Sequence, residues 1–399
     1  MGRSIGQIIN RGKDKWLVRI FLGYDENGKR KYHNKTIYGS KKDAEKYKIE
    51  KLNEINKGIF VEPANITLKE YLDEWIKTSL KGRVKATTYQ SYVKIIELYI
   101  KPVLGDYKIS KLNPLLIQDM LTNMMNKNLS ARTIRYTHTI LKNALNQAVK
   151  WQIISNNPCN NVDLPKQTKQ EMKVLTPEQA KKFLEACVYN RWGILFEVLL
   201  TSGMRPGEAL GLKWEDIDFK NNRIYVKRNL TRTNDGWKLE EPKTPRSRRT
   251  IPLPKEVMKS LKEHKKNQTE EKLKAKETLN YDKDKDKFKP EEWQEKLKDP
   301  KVYIDYGFVF AAQNGSPLDM RKVVERYFKP LLKEANLPDI RLYDLRHTCA
   351  TLLLAAGENP KVVSERLGHA NITLTLDTYS HVLPDMQKEA AAKLEEMLF

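Results

Sequence analysis

The stretch WGILFEVLLTSG, residues 192–203, is apolar on every side until it meets a Thr-Ser-Gly stop. A helix with no polar face has to run through the middle of a core, covered all round by other elements. It marks the centre of a domain in the C-terminal half of the chain. The 399 residues leave room for two or three domains, and a 40% hydrophobic content is adequate for packed cores. No stretch approaches the run of about 20 apolar residues that spans a bilayer. MGRSIGQIIN lacks the apolar run of a secretory signal, and Gly6 stands where N-myristoylation wants Ser or Thr. The expectation is a cytoplasmic protein with no membrane partner. Cys159, Cys187 and Cys349 lie far apart, which argues against a disulfide framework or a zinc ribbon, so they are expected as small core residues.

Charge narrows the partner. The chain carries 73 Lys and Arg against 51 Asp and Glu, a formal net charge of +22. Such an excess points to a polyanion, nucleic acid first, bound partly through counterion release, against the plainer reading of a Lys-rich composition bias.

Three segments follow from periodicity and punctuation. In residues 1–62, KWLVRIFLG (15–23) alternates as a half-buried strand does, YDENG turns, and KRKYHNKTIYG (29–39) reads as a second, basic strand. SKKDAEKYKIEKLNEINKG (40–58) reads as a helix capped by Ser40 and Asp43 and ended at Gly58. Lys29, Arg30, Lys31 and Lys35 crowd this hairpin, which suits entry into a DNA groove. Residues 66–165 hold four helices with short connections, at 67–80, 86–105, 113–127 and 130–154, a compact bundle. Met120, Met124 and Met125 are expected as core filler. Lys85, Thr87, Thr88, Arg132 and Arg135 fall at helix starts, where phosphate contacts are favoured. A polar linker, 156–173, leads to the third segment, 174–399. There Thr176, Pro177 and Gln179 open a helix with a capping box, and NNRIYVKRNLTRT and RRTIPLP read as strands. The mixed-charge tract 264–301 is expected as a solvated, partly helical insertion without chemistry. The fold class is therefore multidomain and mainly α with small β-sheets. It comprises a small sheet plus helix, a four-helix domain, and a mixed α+β domain.

Four islands in the third segment carry reactive side chains. GMRPGE offers Arg205 at a helix start with Glu208 three residues on to hold a neighbouring cation. EPKTPRSRR sets Lys243 beside a Pro-containing turn between strands. YDLRHT brings Arg346 and His347 to the start of an apolar helix. LGH and DTYSH supply His369 and Tyr379. Each island alone has an ordinary structural reading. Together, two Arg, one Lys, one His and one Tyr are what attack on a phosphodiester without a metal requires. A phenol ionises near pH 10 and needs a cationic site to become a nucleophile. Two guanidiniums bracket the non-bridging oxygens, and a lysine on a turn protonates the departing sugar oxygen. A phosphotyrosine link keeps the bond energy, so the strand reseals without a cofactor.

The order Arg205, Lys243, Arg346, His369 and Tyr379 resembles the tyrosine recombinase family of the phage-integrase type. The resemblance covers about 174–385, with weaker likeness of 66–165 to the core-site-binding domain. It is weakest between 1–62 and the arm-site-binding domain of integrases from phages and integrative elements. It implies a 3′-phosphotyrosyl intermediate on Tyr379, a phosphate clamp of Arg205 and Arg346, and Lys243 as general acid. It further implies His369 on a phosphate oxygen and a Holliday junction held by four protomers. It also implies core and arm attachment sites on double-stranded DNA, accessory bending and excision factors, and a bacterial, nucleoid-associated location. The helix at 385–399 is expected either to dock on a neighbour or to pack on its own domain. One position departs from the family pattern. Tyr343 stands where a His commonly precedes Asp-Leu-Arg, so the proton of Tyr379 is expected to go to water or His369, or to need no dedicated base. His347 is expected to be structural. A chromosome-dimer (Xer-like) resolvase or type IB topoisomerase shares the same roles, a silent DNA-binding regulator would lack them, and a metal-dependent transposase would need an acidic cluster that is not evident.

Overall fold

The structure is a computed structural model of the 399-residue chain, and it describes residues 6–24, 27–56, 60, 64–167, 172–233, 236–241, 248–284, 289–379 and 386–399. The chain divides into two compact units, Met1–Lys169 and Gln170–Phe399.

The first unit holds two separate cores. Strands Lys15–Tyr24 and Arg30–Tyr38 form where alternation predicts them, and Gly6–Asn10 adds a third, antiparallel to the first of these. GQIIN was not legible as a strand because its two isoleucines are adjacent and give no alternation. Alternation along Lys15–Tyr24 turns Val18 and Ile20 onto Ala44 of helix Lys41–Asn56, with Trp16, Ile37 and Tyr47 packed around them. The backbone N–H of Ser40 donates to the Asp43 carboxylate (2.8 Å), and the Ser40 hydroxyl accepts from the Asp43 N–H. Gly58 lies outside the described residues.

The helical bundle comprises Leu68–Trp75, Ala86–Ile95, Pro114–Asn126 and Ala131–Lys150. Single π-turns prolong the first two, Ile76–Leu80 and Ile96–Ile100, and Pro102 falls in the first turn of the continuation Lys101–Leu104. Thr67 and Glu70 form the expected reciprocal cap. Leu72, Ile96, Ile117 and Leu141 are fully buried between the helices. Met120 and Met124 fill this core, but Met125 is 38% exposed. Neighbouring helical residues point about 100° apart, so Met124 and Met125 cannot both face inward. The Asn157 amide donates to Lys142 O and Asn146 Oδ1, which seats Cys159 in the core. All three cysteines are buried and unpaired.

In the second unit, helix Gly193–Ser202 runs through the centre, as its all-apolar surface requires. Helices Pro177–Cys187, Lys255–Lys274 and Asp344–Ala355 pack around it. A three-stranded antiparallel sheet (Ile217–Asp218, Arg223–Val226, Arg249–Pro252) and a hairpin (Asn229–Thr233, Gly236–Glu240) cover another side.

The charged tract is more ordered than a solvated insertion. Its first eleven residues prolong helix Lys255–Lys274, and His264 and Gln268 reach inward to carbonyls of Val309 and Phe308. Strands Glu277–Asn280 and Val302–Asp305 then pair in parallel, with helix Pro290–Lys298 between them in sequence. Leu279, Trp293, Val302 and Ile304 make a small core of their own. These few apolar residues are separated by so many lysines and acids that no period shows in the sequence. Replacing the buried indole, Trp293→Ala, is expected to cost about 3–5 kcal/mol within this small core. Amide exchange should accelerate across 277–305 and stay unchanged in Gly193–Ser202.

Candidate active site

The site begins where the central helix stops. Gly203 adopts a left-handed conformation (φ +65°), and a Cβ there would lie 2.7 Å from the Leu367 side chain, so both backbone and space favour glycine. The chain turns and delivers Arg205 to the start of the short helix Pro206–Leu210. Glu208, 3% exposed, accepts from the Arg205 backbone N–H (2.9 Å) and from Arg205 Nη1 (2.7 Å). Oε2, which takes the Arg205 backbone N–H, also accepts Nη2 of Arg249 (2.9 Å), an arginine almost as buried as Glu208 itself. Burial alone would raise the Glu208 carboxyl. The Arg249 charge and hydrogen bond, with the Arg205 backbone and charge behind them, outweigh burial and hold it below the usual carboxylate range.

Arg249 opens strand Arg249–Pro252, and its Nε donates to Arg366 O (2.6 Å). Gly368, also left-handed, leaves the space that this guanidinium fills. Arg346 sits in the first turn of helix Asp344–Ala355 and is 2% exposed. Its Nη1 donates to Gly203 O (2.6 Å), while Nη2 is buried with no hydrogen-bond partner among the described residues. Burial, then the Arg205 charge, lower the Arg346 pKa.

His369 lies between helices Pro360–Leu367 and Ile372–Tyr379, and its Nδ1 bonds to the buried Thr375 hydroxyl (2.8 Å). Burial and the charges of Arg346, Arg205 and Arg249 push its pKa down to about 4. Tyr379, 1% exposed, packs its ring on Leu354, Val363 and Leu367. Burial pushes its phenol up, against a lowering pull from Arg346. The phenol oxygen meets Nδ1 of His347 at 2.7 Å.

Arg205, Glu208, Arg346, His369, Tyr343 and Tyr379 are thus brought to one place. Lys243 lies outside the described residues. Tyr343 stands at the mouth, 39% exposed, with its ring 5.3 Å from that of His347. Two members escaped the sequence reading. Arg249 was legible only as one of two arginines opening a strand. His347, expected to be structural, contacts the phenol of Tyr379 across 32 residues, and nothing local in the sequence encodes that meeting.

The proposed DNA contacts fare unevenly. Lys85, Thr87 and Arg132 are exposed at helix starts, with Thr88 half-buried. Arg135 is half-buried, and its Nη1 donates to Pro165 O (3.0 Å), a linker carbonyl. Lys29, Arg30, Lys31 and Lys35 are all exposed. Strand register splits them: Lys31 and Lys35 share a face with His33, while Arg30 shares the opposite face with Tyr32. Among the described residues no group of His, Cys, Asp and Glu is arranged to hold a metal, and no helix is long and apolar enough to cross a membrane.

Residues 173–386 match the Phage integrase family, and residues 67–125 match the N-terminal SAM-like domain of phage integrases. A tyrosine recombinase XerC-like protein of Caldanaerobacter subterraneus subsp. tengcongensis is 32% identical over 98% of both chains. The ICEBs1 integrase of Bacillus subtilis is 28% identical over 79% of each. The Tn1549 transposon integrase, solved in complex with a circular intermediate DNA, matches with a TM-score of 0.66 and 27% identity, covering 83% of this chain and 100% of that one.

Glu208→Gln leaves two guanidiniums without their anion and is expected to cost about 3–5 kcal/mol at pH 7. Faster amide exchange in Gly193–Ser202 reports it. The pH dependence follows from the sign of each shift. A depressed folded pKa contributes stability above the unfolded value that is lost as pH falls through the folded value. His369 should therefore weaken the fold between about pH 6.5 and 4. Glu208 should do so below about pH 4.5. His369→Gln is expected to reduce the first loss, leaving the share of His138, His264 and His347, whose pKa values burial also lowers, and to keep the second.

Proposed function

Since the chain belongs to the phage integrase family and is a tyrosine recombinase, we propose that Tyr379 is the nucleophile with which it cuts and rejoins the attachment sites of a phage or integrative element. The observation that carries this reading is the Arg346 guanidinium: buried, tied to Gly203 O on one side, and left with Nη2 unsatisfied beside Arg205, His369 and Tyr379. An unpaired buried donor is costly, and a non-bridging phosphate oxygen satisfies it.

The scissile phosphate is held by Arg346 and Arg205, with Arg249 acting behind them. Glu208 fixes Arg205 and Arg249 in orientation, so their order costs nothing when the transition state forms. His369, with Nδ1 committed to Thr375, offers Nε2 to a phosphate oxygen. Tyr379 attacks phosphorus, forms the 3′-phosphotyrosyl bond and expels the 5′-oxygen. Lys243, assigned from its motif, gives that oxygen a proton. Attack by another strand's 5′-hydroxyl reverses the steps, and two such exchanges pass through a Holliday junction held by four protomers. No metal or organic cofactor enters this scheme.

The three-segment division of the notional complex follows: 1–62 on arm sites, 66–165 on core sites and 174–399 for catalysis, in the bacterial cytoplasm at the nucleoid. Separate cores for the sheet and the bundle support the first boundary. Arg30 and Arg19, the latter stacked on Tyr32 at 4.0 Å, lie on the sheet face away from the helix and suit the arm contact. Exposed Leu394, Met397, Leu398 and Phe399 on the last helix, Met386–Leu398, and beyond it support docking between protomers.

Trapped adducts test the reading. Wild type should form covalent DNA adducts in cells that map to one or two short related sites and persist in chelator, and Tyr379→Phe should form none. Scattered adducts would favour topoisomerase-like action, and equal trapping by Tyr379→Phe would remove the nucleophile assignment. Deleting 1–62 should spare core-site cleavage while weakening integration. Tyr343→Phe should slow single-turnover cleavage only modestly, and a loss as deep as that of Tyr379→Phe would contradict it.

A further inference from the structure

The family's usual histidine before Asp-Leu-Arg is a tyrosine here, so the proton of the attacking phenol has no assigned destination. A phenol is a poor base near neutral pH, and Tyr343 cannot take that role. His369 is committed elsewhere through Nδ1, to Thr375. The Tyr379 hydroxyl itself already has a partner, Nδ1 of His347 at 2.7 Å. That distance is within the range for direct proton transfer.

Resting on Tyr379 as the nucleophile, we propose that His347 takes the phenolic proton as the oxygen attacks phosphorus and returns it when the strand is resealed. The step balances. The O–H bond of Tyr379 breaks and its proton moves to Nδ1. The oxygen's electron pair forms the P–O bond while the bond to the 5′-oxygen breaks, and that oxygen is protonated from the other side of the phosphate. In the reverse step the imidazolium restores the phenol as the phosphotyrosine bond opens.

The surroundings suit an acceptor. Burial lowers the His347 pKa, the Arg346 and Arg341 charges lower it further, and Asp344 opposes them. Tyr343 and Tyr379 present their rings to it from either side, at 5.3 and 5.8 Å, and His369 is close enough for the two imidazoles to feel each other's charge. The ring is therefore neutral at pH 7 and able to accept. The helix carrying His347 is anchored by Arg346 on Gly203 O and by the Thr348 hydroxyl, which accepts the Leu175 N–H (3.1 Å) and donates to Asp344 O. The imidazole is thus presented from a fixed element.

The test is single-turnover cleavage of a nicked suicide duplex from pH 5.5 to 9.5, with DNA binding measured alongside to establish folding. Wild type should be level above about pH 6.5 and fall below it as the imidazole protonates. His347→Gln should lose about 10²–10⁴-fold at pH 7. Its rate should then climb about tenfold per pH unit, as expected when hydroxide must remove the proton, so that the gap closes toward high pH. A bridging 5′-phosphorothiolate, whose leaving thiolate needs no proton, should leave the His347→Gln defect in place. His347→Asn serves as the second variant if Gln disturbs binding. A loss of the same size at every pH would assign His347 to structure alone, and a rescue by the thiolate would assign it to the leaving group; either overturns the proposal. If Tyr379→Phe is inactive while His347→Gln equals wild type, only the His347 role falls. If Tyr379→Phe still cleaves, the nucleophile assignment falls first.

Discussion

The carboxylate of Glu208 is the point on which the second unit turns. It is almost wholly buried, and it is ionised only because Arg205 and Arg249 reach it from two different elements, a helix start and a strand start. A buried charge without partners is expensive, and a buried pair breaks even only when its geometry is good and its remaining hydrogen bonds are met. Here one carboxylate faces two guanidiniums, with Arg346 a third cation nearby. The net charge is positive, the sign that the proposed phosphodiester substrate would neutralise. Burial first, and then the neighbouring positive charges, lower the pKa values of Arg346 and His369.

The backbone meets this electrostatic demand through two left-handed glycines. Gly203 ends the central helix tightly enough to offer its carbonyl to Arg346, and Gly368 clears room for Arg249. Both sit at the ends of well-packed helices, so the cations are held by the core rather than by mobile side chains. Preorganisation of that kind is what lets charge stabilisation act without reorganisation during the reaction.

Much of this was legible in the sequence because it is local. The all-apolar 192–203 helix, the capping boxes at Thr67 and Thr176, and the Arg205–Glu208 spacing each encode their structure within a few residues. What was not legible depends on contacts between distant segments. Arg249 meets Glu208 across 41 residues and His347 meets Tyr379 across 32. Neither pairing leaves a periodic trace. Arg135 reads as a phosphate ligand at a helix start, and nothing local announces that its Nη1 donates to Pro165 O, a partner supplied by the linker. The charged tract hid its small parallel pair for the opposite reason, since a handful of apolar residues among many lysines carries no recognisable period.

The most direct measurement is chemical identification of the residue that carries DNA. The wild-type protein is trapped on a nicked suicide duplex bearing a core site, the adduct is digested with protease and nuclease, and the nucleotide-bearing peptide is sequenced by mass spectrometry. The expected result is a single peptide with a 3′-phosphonucleotide on Tyr379. A nucleotide on any other residue, Tyr343 included, would contradict the assignment of the cationic cluster to activating that phenol.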